Sequence, residues 1–336
     1  MIGSLDLFKW SQTNMRTTII LSQFADFVDA INTADVATLL KVRSSNASCN
    51  LSPKVHKFCK TCGLQQLHKY DNTITKIYGG RESVPHSWPW MAGLFLVNNK
   101  LHTILRRQLR PQMVCGSTLI SEKHAITAAH CLRNSLKNIH IVEKQWYFIK
   151  KTQSLLFFLR FGDHQCDDQY FEPQVDIPVL RFMIYKSGVD GLDGDVAILE
   201  LEQPVEFTPE IHPVCLPPPN LNLEEGTKCV AAGWGLISKT PPIMAPNLQE
   251  VEIVIASPAK CLGESPAFRL DMQVCAFNSK TSVLNGDSGS GLYCKIHPDD
   301  QQWYLYGTTS YTLWPNGLSG FSRVPYYVKW IHENIK

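Results

Sequence analysis

Residues 229–255 read CVAAGWGLISKTPPIMAPNLQEVEIVI. Two short apolar runs, Cys229–Trp234 and Glu250–Ile255, flank a break that holds Pro241, Pro242, Pro246 and Asn247. Short runs bounded by Gly, Pro and Asn are strand signals. The same alternation recurs from Ile77 onward, at Met91–Val97, Ser117–Ile120, Asp195–Leu201 and Trp303–Thr309. Many short strands with turn signals between them predict an all-β antiparallel barrel or sandwich. The last segment differs. Val328, Ile331 and Ile335 fall at helical spacing, so Val324–Ile335 is expected to form a C-terminal amphipathic helix.

Composition narrows the class. Of 336 residues, 44% are hydrophobic and 18% charged, enough apolar side chain for a packed core. A net charge of +2 gives no electrostatic reason to expect nucleic acid or an anionic membrane as partner. No run of 18 apolar residues occurs, so no membrane span is expected. Eleven cysteines point to an oxidising compartment and a secreted protein, with at least one thiol unpaired or intermolecular. The leader expected of such a chain is not plain. Residues 1–48 hold only a weak apolar stretch, Thr17–Leu21. The open readings are a start at Met15, a misassigned 5′ end or an unusual signal.

Three zones follow: an N-terminal extension (1–48), a cysteine-bearing linker (49–76) and the strand-rich remainder (77–336). Two N-x-S sequons, at Asn46 and Asn50, suit an exposed glycosylated segment. Cys49, His56, Cys59 and Cys62 could be read as zinc ligands, but the second half of a zinc spacing is missing. The acidic residues Asp163, Asp167, Asp168 and Glu172 match a calcium loop poorly. No metal or cofactor is therefore expected.

Gly286-Asp287-Ser288-Gly289 carries the strongest chemical signal. A Ser between glycines can sit on a tight turn with its hydroxyl and nearby backbone N–H groups open to a substrate oxygen. A Ser hydroxyl needs a base to become nucleophilic, and the base needs an orienting carboxylate. Upstream stand Thr127-Ala128-Ala129-His130-Cys131 and Asp195-Val196-Ala197-Ile198-Leu199, in the chain order His, Asp, Ser. With these motifs in place, residues 62–336 resemble a chymotrypsin-fold (trypsin-like) serine endopeptidase in zymogen form. The resemblance implies two packed six-stranded antiparallel β-barrels with the site between them. An α/β-hydrolase would need another triad order and the G-x-S-x-G elbow, which the serine motif does not carry.

What the resemblance implies for individual residues is specific. Ser288 is the nucleophile, His130 the general base and then acid, and Asp195 the group that fixes the imidazole. The backbone N–H groups of Gly286 and Ser288 form the oxyanion hole, and Ser310 supports the buried Asp. Lys76-Ile77-Tyr78-Gly79-Gly80 matches the activation site: cleavage after Lys76 frees the Ile77 ammonium to pair with Asp287. Expected disulfides are Cys115–Cys131, Cys229–Cys294, Cys261–Cys275 and Cys62–Cys215. The last would tether the propeptide to the catalytic domain. Cys49, Cys59 and Cys166 are left over. Partners would be a protein or peptide substrate and an activating protease, with a protein inhibitor as a further candidate.

Departures from the family pattern bear on specificity. Relatives that cut after Lys or Arg carry an Asp at the pocket floor where this chain has Ser282, so an apolar guest is expected. Thr312 replaces the usual pocket-wall Gly, and Gly320 is expected to keep the other wall open. Leu284 replaces a family Cys, and Ser290-Gly291 stands where Gly-Pro is usual. The His–Asp interval exceeds the family's, with the excess near Asn134–Leu159, read either as a lengthened loop beside the site or as read-through sequence. The competing functional reading is a catalytically weak or inactive homologue that acts as a binding protein.

Overall fold

A computed structural model describes residues 62–67, 80–98, 111–136, 140–149, 155–166, 173–186, 193–239, 241–278, 286–313 and 318–335. All of them belong to one compact unit, Leu51–Lys336. The expectations placed on Asn46, Cys49, Asn50, Cys59, Lys76, Ile77, Ser282 and Leu284 lie outside the described residues.

The first half carries β1 (Arg81–Glu82), β2 (Met91–Asn98), β3 (Gln112–Leu119), β4 (His124–Thr127), α1 (Ala129–Ser135), β5 (Tyr147–Phe148), β6 (Leu155–Phe161), β7 (Val175–Ile184) and β8 (Ala197–Leu201). The second carries β9 (Lys228–Gly233), β10 (Leu236–Lys239), β11 (Pro242–Met244), β12 (Gln249–Ile255), α2 (Pro258–Glu264) and β13 (Gln273–Phe277). It ends with β14 (Gly291–Cys294), β15 (Tyr304–Leu313), β16 (Leu318–Arg323) and α3 (Val324–Asn334). Strands β7-β6-β2-β3-β4-β8 form a sheet that closes through a β7–β8 pairing. Strands β12-β13-β16-β15-β14-β9 close likewise through β12–β9. These are two six-stranded antiparallel barrels, and closure removes the open sheet edges that an all-β chain must otherwise protect.

The two runs flanking the Pro-rich break become β9 and β12, paired from Gln249↔Gly233 to Val254↔Lys228. On β12, Ile253 and Ile255 point into the second barrel's core with the period of two that a strand imposes. The break between them folds as the β10–β11 hairpin. At the other end of the chain, α3 starts with Pro325 in its first turn, where a missing N–H costs nothing. It buries Tyr327, Val328, Trp330 and Ile331. Tyr185 packs edge-on against the rings of Tyr327 and Trp330 at 4.9 and 5.2 Å.

The stretch around Asn134–Leu159 is not all loop. It holds the end of α1 and the start of β6, and between them β5 adds to the edge of β7 through Tyr147↔Phe182 and Phe148↔Arg181. The Arg181 guanidinium lies 4.2 Å over the Trp146 ring, so this added strand is held by cation–π contact as well as by backbone pairing.

Where the barrels meet, aromatic side chains fill the seam. Trp88 stacks on Tyr293 at 5.4 Å and Trp90 meets the same ring edge-on at 5.5 Å. Tyr293 is fully buried, and its hydroxyl lies 2.9 Å from Thr118 Oγ1. Burial pushes this phenol well above its ordinary pKa, so it stays neutral and serves as a packing group. The Glu250 carboxylate is also buried. It accepts from Trp88 Nε1 and from Arg81 Nε, each at 2.6 Å. The linker is docked beside this seam: Gly63 N donates to Pro213 O, Trp303 N donates to Gly63 O, and Cys62 is bonded to Cys215. Glu250→Ala would remove the buried acceptor shared by the Trp88 indole and the Arg81 guanidinium, and is expected to lower stability by about 3 kcal/mol in chemical denaturation.

Candidate active site

Helix α1 is short and begins without a capping side chain, because the residue before it is Ala128. The first-turn N–H groups of any helix lack intrahelical acceptors and must find others. Here the His130 backbone N–H donates to Asp195 Oδ1 at 2.8 Å. The same carboxylate's Oδ2 lies 2.7 Å from His130 Nδ1. Asp195 precedes β8 and is 0% exposed. A carboxylate so placed supplies the missing cap and favours the tautomer with Nδ1 protonated; Nε2, unprotonated in that tautomer, lies 3.9 Å from Cys131 Sγ.

The second barrel completes the shell around Asp195. Ser310 Oγ, on β15, donates to Asp195 Oδ2 at 2.5 Å. Ser322 Oγ, on β16, donates to the Asp195 carbonyl at 2.8 Å. Ser322 carried no signal in the sequence; only the pairing of β15 with β16 brings it there. Tyr327 lies nearby, and burial, then the Tyr185 and Tyr326 phenols and the Asp195 charge, hold its pKa far above the usual range. It brings no second titrating group to the site.

Ser288 sits on a turn closed by Ser290 N donating to Asp287 O at 3.0 Å. The turn is clamped against both barrels. Gly116 N donates to Ser288 O, and Gly289 N donates to Thr309 O, each at 2.8 Å. Gly286 and Gly289 have φ of 99° and 80°, the left-handed region that a glycine enters without strain. A side chain on Gly289 would overlap Thr127 Oγ1 and the Gly116 carbonyl, so the turn packs directly on the residues preceding α1. Cys115–Cys131 pins α1 to β3 beside it, a crosslink worth about 3 kcal/mol for a loop of this size.

Among the described residues, neither the Gly286 nor the Ser288 backbone N–H donates to a protein acceptor. Both N–H groups lie on the turn that carries Ser288. No hydrogen bond joins Ser288 Oγ to His130 Nε2 among the described residues. Such bonds are often long before substrate arrives. Asp287 turns the other way: its Oδ1 accepts from Gly235 N at 2.8 Å, with the carboxylate wedged against Gly233 and Gly235.

The pocket residues divide. Thr312 pairs in register with Ser319, and Gly320 pairs with Tyr311. A side chain on Gly320 would fall inside the Tyr311 ring, so Gly320 and Thr312 project to opposite faces of the sheet. Strand alternation is the reason, since adjacent residues point to opposite sides. Burial, and then the Asp193 charge, push the Tyr311 phenol far above its ordinary pKa.

Four disulfides are present among the described residues: Cys62–Cys215, Cys115–Cys131, Cys229–Cys294 and Cys261–Cys275. Cys166 is a thiol with Sγ 3.4 Å from Met113 Sδ. Among the described residues, the grouping of metal-ligand types is Cys115, His130 and Cys131. Both of its sulfurs are spent in a disulfide, so it offers a cation one imidazole and no thiolate.

Comparison with known proteins agrees with this geometry. The trypsin family model matches residues 77–331, and the chain belongs to that family. The clotting factor G beta subunit of Tachypleus tridentatus is 29% identical over 290 residues, covering 82% of each chain. Neuropsin, titled a serine protease expressed in the limbic system of mouse brain, is 25% identical with a TM-score of 0.59. That match covers 77% of this chain and 100% of the other. The chain is thus a chymotrypsin-fold member of a serine protease family.

One departure from the family pattern has a measurable consequence. Ser290 is 0% exposed, and among the described residues its hydroxyl has no partner; it presses against Gly116. An unpaired buried hydroxyl is a net cost. Ser290→Ala is therefore expected to raise unfolding free energy by about 1 kcal/mol in denaturant titration.

Proposed function

We propose that this chain is a secreted serine endopeptidase, made as a zymogen, that hydrolyses peptide bonds through an acyl-enzyme on Ser288. The observation that carries the reading is the buried Asp195 carboxylate bonded to His130 Nδ1, next to a turn that presents Ser288 with two unused N–H donors. Ser288 Oγ attacks the substrate carbonyl carbon as its proton passes to His130 Nε2. The oxygen of the tetrahedral adduct takes the Gly286 and Ser288 N–H groups. His130 returns the proton to the amine as the C–N bond breaks, and a water repeats the sequence to release the acid. Asp195 orients the ring and stabilises the imidazolium.

Activation fits the same turn. Cleavage after Lys76 would release the Ile77 ammonium to pair with Asp287, one residue from Ser288 and one from Gly286. A partly buried ion pair of this kind is a poor stabiliser but a good switch. The linker would stay attached through Cys62–Cys215. Four disulfides favour an oxidising compartment, in line with secretion, and Asn46 and Asn50 would carry glycans. An activating protease and a protein inhibitor are the implied macromolecular partners. Ser282, at the sequence position where relatives that cut after Lys or Arg carry an Asp, would supply no counter-charge for a basic guest, which favours an apolar residue on the acyl side of the cut bond.

The alternative, a homologue that binds without cutting, draws on the missing Ser288–His130 hydrogen bond. A fluorophosphonate probe separates the two. Chain cleaved after Lys76 is expected to label stoichiometrically, uncleaved chain and Ser288→Ala not at all. Absence of label on correctly cleaved protein would favour the binding reading. In the active form, Asp195→Asn is expected to lower kcat by about 10⁴-fold, since the imidazole is then held in the wrong tautomer.

A further inference from the structure

We propose that the thioether of Met244, open to solvent and seated on Gly286, is a modification site for hydroperoxides, and that its conversion to the sulfoxide slows the chemical step. The inference rests on the peptidase reading above and adds to it a means of control.

Met244 ends β11 and stands opposite Leu236 on β10. The backbone there is pinned. Ala245 N donates to Gly235 O at 3.0 Å, and Cys166 N donates to Pro246 O at 2.8 Å. From this fixed point the Met244 side chain reaches the nucleophile turn. A Cβ built on Gly286 would stand 2.7 Å from Met244 Cε, 2.9 Å from Gly235 Cα and 3.4 Å from Met244 Sδ. Gly286 therefore sits in a niche with the thioether on one wall and Gly235 on another. Gly235 also binds the neighbouring carboxylate, through its N–H on Asp287 Oδ1. The apolar contact with Met244 thus bears on the one residue of the turn whose N–H is assigned to the oxyanion and whose φ is 99°.

Among the described residues, Met244 is the methionine most open to solvent. It is 48% exposed, and Ile237 and Ile243 on the same hairpin are exposed beside it. Met91, Met183 and Met272 are buried, and Met113 is partly buried with its sulfur against Cys166. A thioether needs neither base nor metal to react with a hydroperoxide. The sulfur lone pair attacks the terminal peroxide oxygen, the O–O bond breaks, and water or an alcohol leaves. The sulfur gains one oxygen and gives up two electrons, which reduce the peroxide. The product is a polar, chiral sulfoxide, a poor partner for two glycine Cα atoms. Turned toward water, it leaves Gly286 uncovered, and a donor free to swing stabilises a tetrahedral oxyanion less than a fixed one.

The test treats the full chain cleaved after Lys76 with hydrogen peroxide, follows each sulfur by peptide mass spectrometry and reads hydrolysis of a fluorogenic tetrapeptide. Met244 is expected to oxidise before Met91, Met113, Met183 and Met272. As it does, kcat is expected to fall by about 10²-fold, the lower end for loss of one oxyanion donor, with KM nearly unchanged. Met244→Leu, compared with its own untreated rate, is expected to keep its activity through the same treatment, including any oxidation of Cys166. An oxidised Met244 with unaltered kcat would overturn the inference, as would an equal loss in Met244→Leu or a Met244 that outlasts the buried methionines. Hydrogen exchange of Ser288→Ala reads the contact without chemistry. Oxidation of Met244 is expected to speed amide exchange severalfold in the peptide that carries Gly286. Unchanged exchange there refutes the inference whatever the chain's activity. Faster exchange, together with a cleaved chain that cuts nothing even before peroxide, leaves the modification site standing and refutes only the peptidase reading.

Discussion

The Asp195 carboxylate is the point through which the two barrels share a site. It is out of water, and it accepts from the His130 backbone, the His130 ring and the Ser310 hydroxyl. A charge buried this deeply would be prohibitively costly without such donors. Three of them together fix a helix start from one barrel and a strand from the other to within hydrogen-bond tolerance. Ser322 on the carbonyl of the same residue adds a fourth tie from the second barrel. The geometry of the imidazole is therefore set by the meeting of the barrels.

Backbone economy around Ser288 follows from the same closeness. The turn can lie on Thr127 and Gly116 only because Gly289 has no side chain. Next to it the chain has exchanged one constraint for another. Gly291 stands where a side chain would overlap the Tyr293 ring. The loss of the family's proline there is matched by a large aromatic two residues later, which fills the seam against Trp88 and Trp90. Ser290 has no such counterpart, and its hydroxyl is left without a partner among the described residues.

Much of the architecture was legible in the chain because barrels repeat one local signal. Apolar runs broken by Gly, Pro and Asn gave the strands, and helical spacing at Val328, Ile331 and Ile335 gave α3. Which strands pair was not legible from periodicity; it entered through the resemblance carried by the Ser288, His130 and Asp195 motifs. Two features escaped. β5 holds an edge by Trp146 against Arg181, a contact between residues far apart in sequence that no local pattern announces. Gly320 and Ser319 are neighbours, and only the register of β15 with β16 shows which of them projects to the same side as Thr312. A one-residue slip on a strand exchanges the faces, and only the pairing partners decide it.

The proton between His130 Nδ1 and Asp195 Oδ2 tests the account most directly. Proton NMR of the cleaved chain, with nitrogen labelling restricted to histidine, should show one exchange-protected resonance far downfield of the amides, bonded to the ring Nδ1 of His130. It should vanish in His130→Gln and move on Asp195→Asn. A spectrum of correctly folded, cleaved protein without that resonance at any pH would mean that the buried carboxylate does not hold the imidazole, and the catalytic assignment would fall with it.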